Sequence, residues 1–225
     1  MPVRCATYSR PWPSPSQPDG AVVVIDYYLS IASPWTWLGS ARFIDMARRH
    51  AAWVNVRPVD FGRLLAASGG LPYQQRPRQR ASYRQEDLAR WQRRLGLPLT
   101  LEPAFYPVDR EPASRLLVAA RALGQDTALA LSHALLRAIW VEQRNIADEP
   151  TLAAIARDTG LDATALLAAA HEPATHQAWQ EDTDRAIAAQ VFGAPTWVVQ
   201  GERFWGQDRL DFLEEKLAAQ AEGVR

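Results

Sequence analysis

The chain begins its ordered pattern with a β-branched and aromatic run, Val22 to Tyr28 (VVVIDYY), of strand length. From Pro34 onward the pattern changes. Trp37, Leu38, Phe43, Ile44 and Ala47 recur at mixed three- and four-residue intervals, with Arg42, Asp45, Arg48 and Arg49 on the other side. That is one apolar face of an amphipathic helix running to about His50. Ser33 is placed to cap it and Pro34 to open it, since the first helical N–H has no partner to lose. Val54 to Val59 (VNVRPV) alternates and contains Pro58, as a short strand at a sheet edge does. Strand, helix and strand form a βαβ unit with a right-handed crossover.

Residues 61–190 are nearly all of helical period. The pattern predicts a short helix over Phe61–Ser68 closed by Gly69-Gly70, a loop over Leu71–Arg80, and a helix over Ser82–Leu95. Pro98–Pro112 is again loop. Helices follow over Ser114–Leu123, Asp126–Glu142, Thr151–Arg157, Ala163–His171 behind the cap Asp162, and Thr175–Gln190. Then Trp197–Val199 and Glu202–Trp205 flank a Gln200-Gly201 turn, a hairpin, and Asp208 is placed to cap a last helix carrying Leu210, Phe212, Leu213 and Leu217. The order βαβ, helical block, ββα describes an α/β chain with a thioredoxin fold (21–60 and 191–225) and a large all-helical insertion (61–190). Residues 1–20, rich in Pro and Ser, read as a disordered extension with neither a secretory signal nor a membrane span.

Composition narrows the function. Of 225 residues 48% are apolar, and 25 Lys and Arg balance 25 Asp and Glu. An uncharged total lacks the electrostatic footprint of a nucleic-acid binder and points to small-molecule ligands; with no membrane-spanning run, the expected location is cytoplasmic. Cys5 is the single cysteine, which excludes an intramolecular disulfide, and the four histidines show no metal-binding spacing.

Ser33-Pro34-Trp35-Thr36 therefore draws attention, because it follows a first strand and opens a first helix, where thioredoxin-like proteins carry Cys-Pro-x-Cys. Both thiols are replaced, so dithiol redox chemistry has no place there. Two readings stand side by side: a plain helix cap, or a hydroxyl at the positive end of a helix dipole that stabilises an anion. Arg76, Arg78, Arg80 and Arg84 form the one locally basic stretch, either a solvated face or a clamp for a carboxylate.

Three motifs in order resemble 2-hydroxychromene-2-carboxylate isomerases, relatives of kappa-class glutathione transferases in the DsbA-like thioredoxin superfamily. They are Ser-Pro-Trp-Thr-Trp-Leu-Gly at 33–39, Val-Phe-Gly-Ala-Pro-Thr at 191–196 and Phe-Trp-Gly-Gln-Asp-Arg-Leu at 204–210. Pro77, Arg80, Tyr83, Asp87, Leu88, Arg90 and Trp91 fit a further family pattern, with Arg80 in place of the usual lysine; Gly70 is the nearest match to an asparagine of the family, and Tyr106 is inserted before Pro107. The resemblance implies a catalytic Ser33 and a glutathione site of Ser33, Pro34, Trp35, Ala194, Pro195, Gln207 and Asp208, with a cis bond before Pro195. It implies an aromatic carboxylate substrate, for which Arg80, Tyr83 and Trp37 are candidates, and a homodimer. A glutathione transferase that keeps its adduct, and a non-catalytic glutathione- or peptide-binding domain, remain as alternatives.

Overall fold

The computed structural model describes residues 22–222; the Pro- and Ser-rich extension and Cys5 lie outside them. Four strands form one sheet: β1 (Val24–Leu29), β2 (Trp53–Pro58), β3 (Thr196–Val199) and β4 (Glu202–Trp205). Their order is β2-β1-β3-β4, with β1 parallel to β2 and antiparallel to β3. Pro58 ends edge strand β2 opposite Leu29, where a missing N–H breaks no inner ladder. Gln200 and Gly201 both take positive φ in the β3–β4 turn, as a two-residue hairpin of matching twist requires.

Helix α1 (Pro34–Arg49) crosses one face of the sheet, and Tyr27, Phe43 and Trp197 meet there, with ring centroids 4.7–5.7 Å apart. Between β2 and β3 run α2 (Phe61–Ser68), α3 (Arg78–Leu95), α4 (Glu111–Ala120), α5 (Gln125–Trp140), α6 (Glu149–Asp158), α7 (Ala163–His171) and α8 (Pro173–Ala188). The final helix is α9 (Leu210–Glu222). A continuous apolar core joins the sheet, α1 and the helical block, so the insertion is packed onto the thioredoxin unit. No helix among the described residues is long and apolar enough to cross a membrane.

Several boundaries differ from the pattern. Helix α3 starts at Arg78, inside the expected loop, because Pro77 sets its first turn and Arg78, Gln79 and Arg80 supply no apolar periodicity to mark it. Helix α4 starts at Glu111 with Pro112 in its first turn, and α8 starts at Pro173. Asp208 is no N-cap: Gly206, at φ +100°, opens a 3-10 turn over Gln207–Arg209, and α9 follows from Leu210.

Candidate active site

Ser33 ends the β1–α1 connection with extended backbone, φ −82° and ψ 125°, the conformation an N-cap needs. Its Oγ accepts from the Thr36 N–H at 3.3 Å and donates to the Ala194 carbonyl at 3.3 Å. Both contacts sit at the long end of hydrogen bonding, so the hydroxyl is held but not saturated. The side chain is 9% exposed. The α1 N-terminus behind it brings partial positive charge to the same point.

Ala194 belongs to the segment that enters β3, and the Ala194–Pro195 peptide bond is cis. Pro195 itself is buried, and its carbonyl accepts the Gly206 N–H at 2.9 Å. That bond ties the start of β3 to the turn that carries Gln207 and Asp208. Gln207, 2% exposed, is held from α1: Arg42 donates through Nη2 to its backbone carbonyl at 2.9 Å and to its side-chain oxygen. Gly39 makes the approach possible, since a Cβ there would lie 2.9 Å from Gln207 Cβ. Asp208 stays largely exposed, with Arg209 Nη1 3.5 Å away.

These elements border a cleft of about 690 Å3 between the thioredoxin unit and the helical block. Ser33, Pro34, Trp35, Ala194, Gln207 and Asp208 line one side, and Arg80, Tyr83, Arg84 and Trp91 of α3 line it as well. A volume of this order suits a drug-sized ligand. Arg80 is exposed and Tyr83 is 59% exposed, so both stand at the mouth.

Two of the residues expected in the site do not reach it. Trp37 is 3% exposed, donates through Nε1 to the Pro98 carbonyl at 3.0 Å and stacks on His133 at 5.0 Å. Two helix positions are about 200° of turn apart, so Trp35 faces the cleft and Trp37 the core. Pro195 does not line the cleft either; it places Ala194, which does. Gly70 is also absent from the lining, and a side chain there would run into Leu65, 2.4 Å from its Cδ2.

Of the four arginines of the basic stretch, one is buried in the cleft wall. Arg84 is 7% exposed, and its guanidinium lies over the ring of Tyr73 at 4.6 Å and of Tyr106 at 5.6 Å. Burial pushes its pKa down from the usual arginine value, partly offset by those phenols. Its Nη2 has no hydrogen-bond partner, and neither has Nε of Arg110, which also lines the cleft. The basic stretch of the sequence contains Arg84, but its burial depends on Tyr106, twenty-two positions on, which packs on Trp140 at 5.0 Å. No group of histidine, cysteine, aspartate and glutamate suited to a metal occurs among the described residues.

Residues 24–218 match the DSBA-like thioredoxin domain. The chain is 34% identical over 194 residues to a 2-hydroxychromene-2-carboxylate isomerase of Sphingobium xenophagum, covering 86% of this chain and 97% of that one. It is 28% identical over 196 residues to a protein of the same name from Pseudomonas putida, covering 87% and 94%. A solved structure of a 2-hydroxychromene-2-carboxylate isomerase superposes with a TM-score of 0.74 at 26% identity, over 89% of this chain and 97% of that one. On its length, its fold and its sequence, this chain belongs to the 2-hydroxychromene-2-carboxylate isomerase family of DsbA-like thioredoxin-fold proteins.

Proposed function

We propose that this protein is a glutathione-dependent isomerase of a small aromatic carboxylate of the 2-hydroxychromene-2-carboxylate type. The observation that carries the reading is Ser33: a buried hydroxyl at a helix N-terminus faces a large cleft from the position of a thiol, in a chain whose one cysteine is Cys5. The relatives' shared name supplies the reaction class.

The residues present fit glutathione. Asp208 offers an exposed carboxylate for an ammonium, Gln207 a fixed amide beside it, and Ala194 backbone groups at the edge of β3 for an extended peptide. Glutathione, when bound, supplies the thiolate whose reversible addition to a conjugated substrate turns rotation about a double bond into rotation about a single one. Ser33 stabilises that sulfur by turning its O–H from the Ala194 carbonyl toward it, while the Thr36 N–H and the α1 dipole add positive potential. The arginines of α3 neutralise the substrate carboxylate, and Trp35 offers a flat wall for its ring.

The test follows free glutathione while a chromene carboxylate is converted with glutathione in catalytic amount. Many equivalents converted at a constant glutathione pool support the isomerase. Conversion that stops after one equivalent, with an adduct accumulating, replaces it by a transferase; no conversion with retained glutathione affinity leaves a binding domain.

A further inference from the structure

Arg84 is in an expensive place for a cation. Its side chain is more than nine-tenths buried, its Nη2 is without a hydrogen-bond partner, and it forms no ion pair among the described residues. A buried guanidinium is ordinarily paired with a carboxylate, since it gives up its hydration without a partner to replace it. The carboxylates that line the same cleft do not serve it: Asp208 meets Arg209, and Asp87 lies one turn along α3 without bonding to it. What holds Arg84 is aromatic. Tyr73 and Tyr106 lie under the guanidinium, and Tyr106 is in turn fixed against the fully buried Trp140. Nη2, itself shielded from solvent, is the nitrogen left without an acceptor, and a guanidinium edge of this kind is what pairs with a carboxylate.

We propose that Arg84 is the carboxylate receptor of the cleft and selects planar, conjugated acids as substrates over their uncharged analogues. The proposal rests on the isomerase reading for its substrate class. The incoming carboxylate supplies the partner that the fold withholds, and the desolvated setting makes that pair stronger than one at the cleft mouth. Arg80, exposed at the mouth, steers the anion inward and contributes less to holding it. Because no carboxylate among the described residues pairs with Arg84, it is a specificity residue and not a structural one.

The experiment measures binding in the absence of glutathione, with coumarin-3-carboxylate as the acid and coumarin as the same ring system without it. The wild-type protein is expected to bind the acid at least tenfold more tightly than coumarin. Arg84→Met should bring the two within threefold of each other and leave affinity for S-methylglutathione within threefold of wild type. Arg84→Lys should restore part of the preference, and Arg80→Gln should lower it less than Arg84→Met does. The melting temperature of Arg84→Met should equal or exceed that of wild type, which separates receptor from structural loss. The proposal is overturned if wild type shows no preference for the acid, if Arg84→Met keeps it, or if Arg84→Met weakens S-methylglutathione instead. Because neither probe is converted and no glutathione is present, a failed isomerase reading would show separately, as an unconverted chromene beside an intact Arg84-dependent preference.

Discussion

Two arginine-rich regions of the molecule use the same side chain in opposite ways. Where α8 meets β2, the fully buried Asp182 accepts from Arg57 Nη1 at 2.8 Å and from Arg121 Nη1 at 2.5 Å, and Arg57 also donates to Asp26 at 2.8 Å. Facing the cleft, Arg84 and Arg110 each keep a buried nitrogen with no acceptor. The first region joins β2, α8 and the start of the 3-10 turn at Arg121–Leu123, so its pairing is structural. The second holds charge in readiness. A buried cation that the fold pairs works for the fold, and one left open in the wall of a cleft is available to a ligand.

The sharpest way to break this contrast is Asp182→Ala. It strands Arg121 and takes one of two carboxylates from Arg57, and breaking a buried pair in this way costs about 3–5 kcal/mol. Urea unfolding should show a loss of that size. A variant as stable as wild type would mean the paired cluster is no more structural than the open one.

Ser33 tests the other half. Its hydroxyl makes two 3.3 Å contacts, so Ser33→Ala should lose no more than the usual cap contribution of about 0.5–2 kcal/mol in stability. Turnover of a chromene carboxylate with glutathione should nonetheless fall about 100-fold, the loss typical of one donor aimed at developing or bound negative charge. S-methylglutathione should bind nearly as before, because that ligand has no thiolate. Unchanged turnover would reduce Ser33 to a helix cap.

What was legible in the sequence follows the same division. The β1–α1 start, the hairpin and the capped α7 were readable because each is fixed by neighbours in sequence: Ser33-Pro34, Gln200-Gly201 and Asp162. The motifs also carried Ala194, Gln207 and Asp208 into one cleft. The misassigned Trp37, and Arg84 whose burial the sequence left open, depend on partners far along the chain. Trp37 is core because Pro98 and His133 close over it, and Arg84 is buried because Tyr73 and Tyr106 cover it. Neither partner is announced by spacing. The start of α3 was hidden for another reason: its first turn is polar on every side, and periodicity cannot mark a turn that buries nothing.

Gly39→Ala probes how tightly the satisfied side of the cleft is built. The added Cβ would sit 2.9 Å from Gln207 Cβ and 3.5 Å from its Cα, so the turn at 207 must move away from α1. Overpacking of this kind costs about 1–3 kcal/mol. The move also draws Gln207 off Arg42, so S-methylglutathione affinity should fall while the Arg84-dependent preference for an aromatic acid stays. Loss of both together would show that the two sides of the cleft are one rigid unit, and the contrast between them would lose its meaning.

His133 supplies the smallest and most discriminating test, because it is a third solution to burying a basic side chain: neither paired nor left open, but uncharged. Its Nδ1 meets Ser40 Oγ at 2.8 Å, its ring stacks on Trp37, and burial, with the positive charge of Arg137, lowers its pKa to about 4. An unfolded chain takes up that proton near the ordinary histidine pKa of about 6.5, whereas the folded protein resists it until about 4. Between those values the unfolded state binds more protons, so this residue's contribution to stability is complete above pH 6.5 and is lost as the pH falls toward 4. The loss is on the order of 1 kcal/mol once screening at the partly exposed ring is counted. The measurement is the wild-type minus His133→Gln difference in unfolding free energy across that range, since the difference cancels the carboxylates common to both. A difference that narrows as the pH falls identifies His133 as the neutral member of the series. A difference constant with pH would mean that the ring takes its proton as readily folded as unfolded, and that its contact with Ser40 does not depend on its staying uncharged.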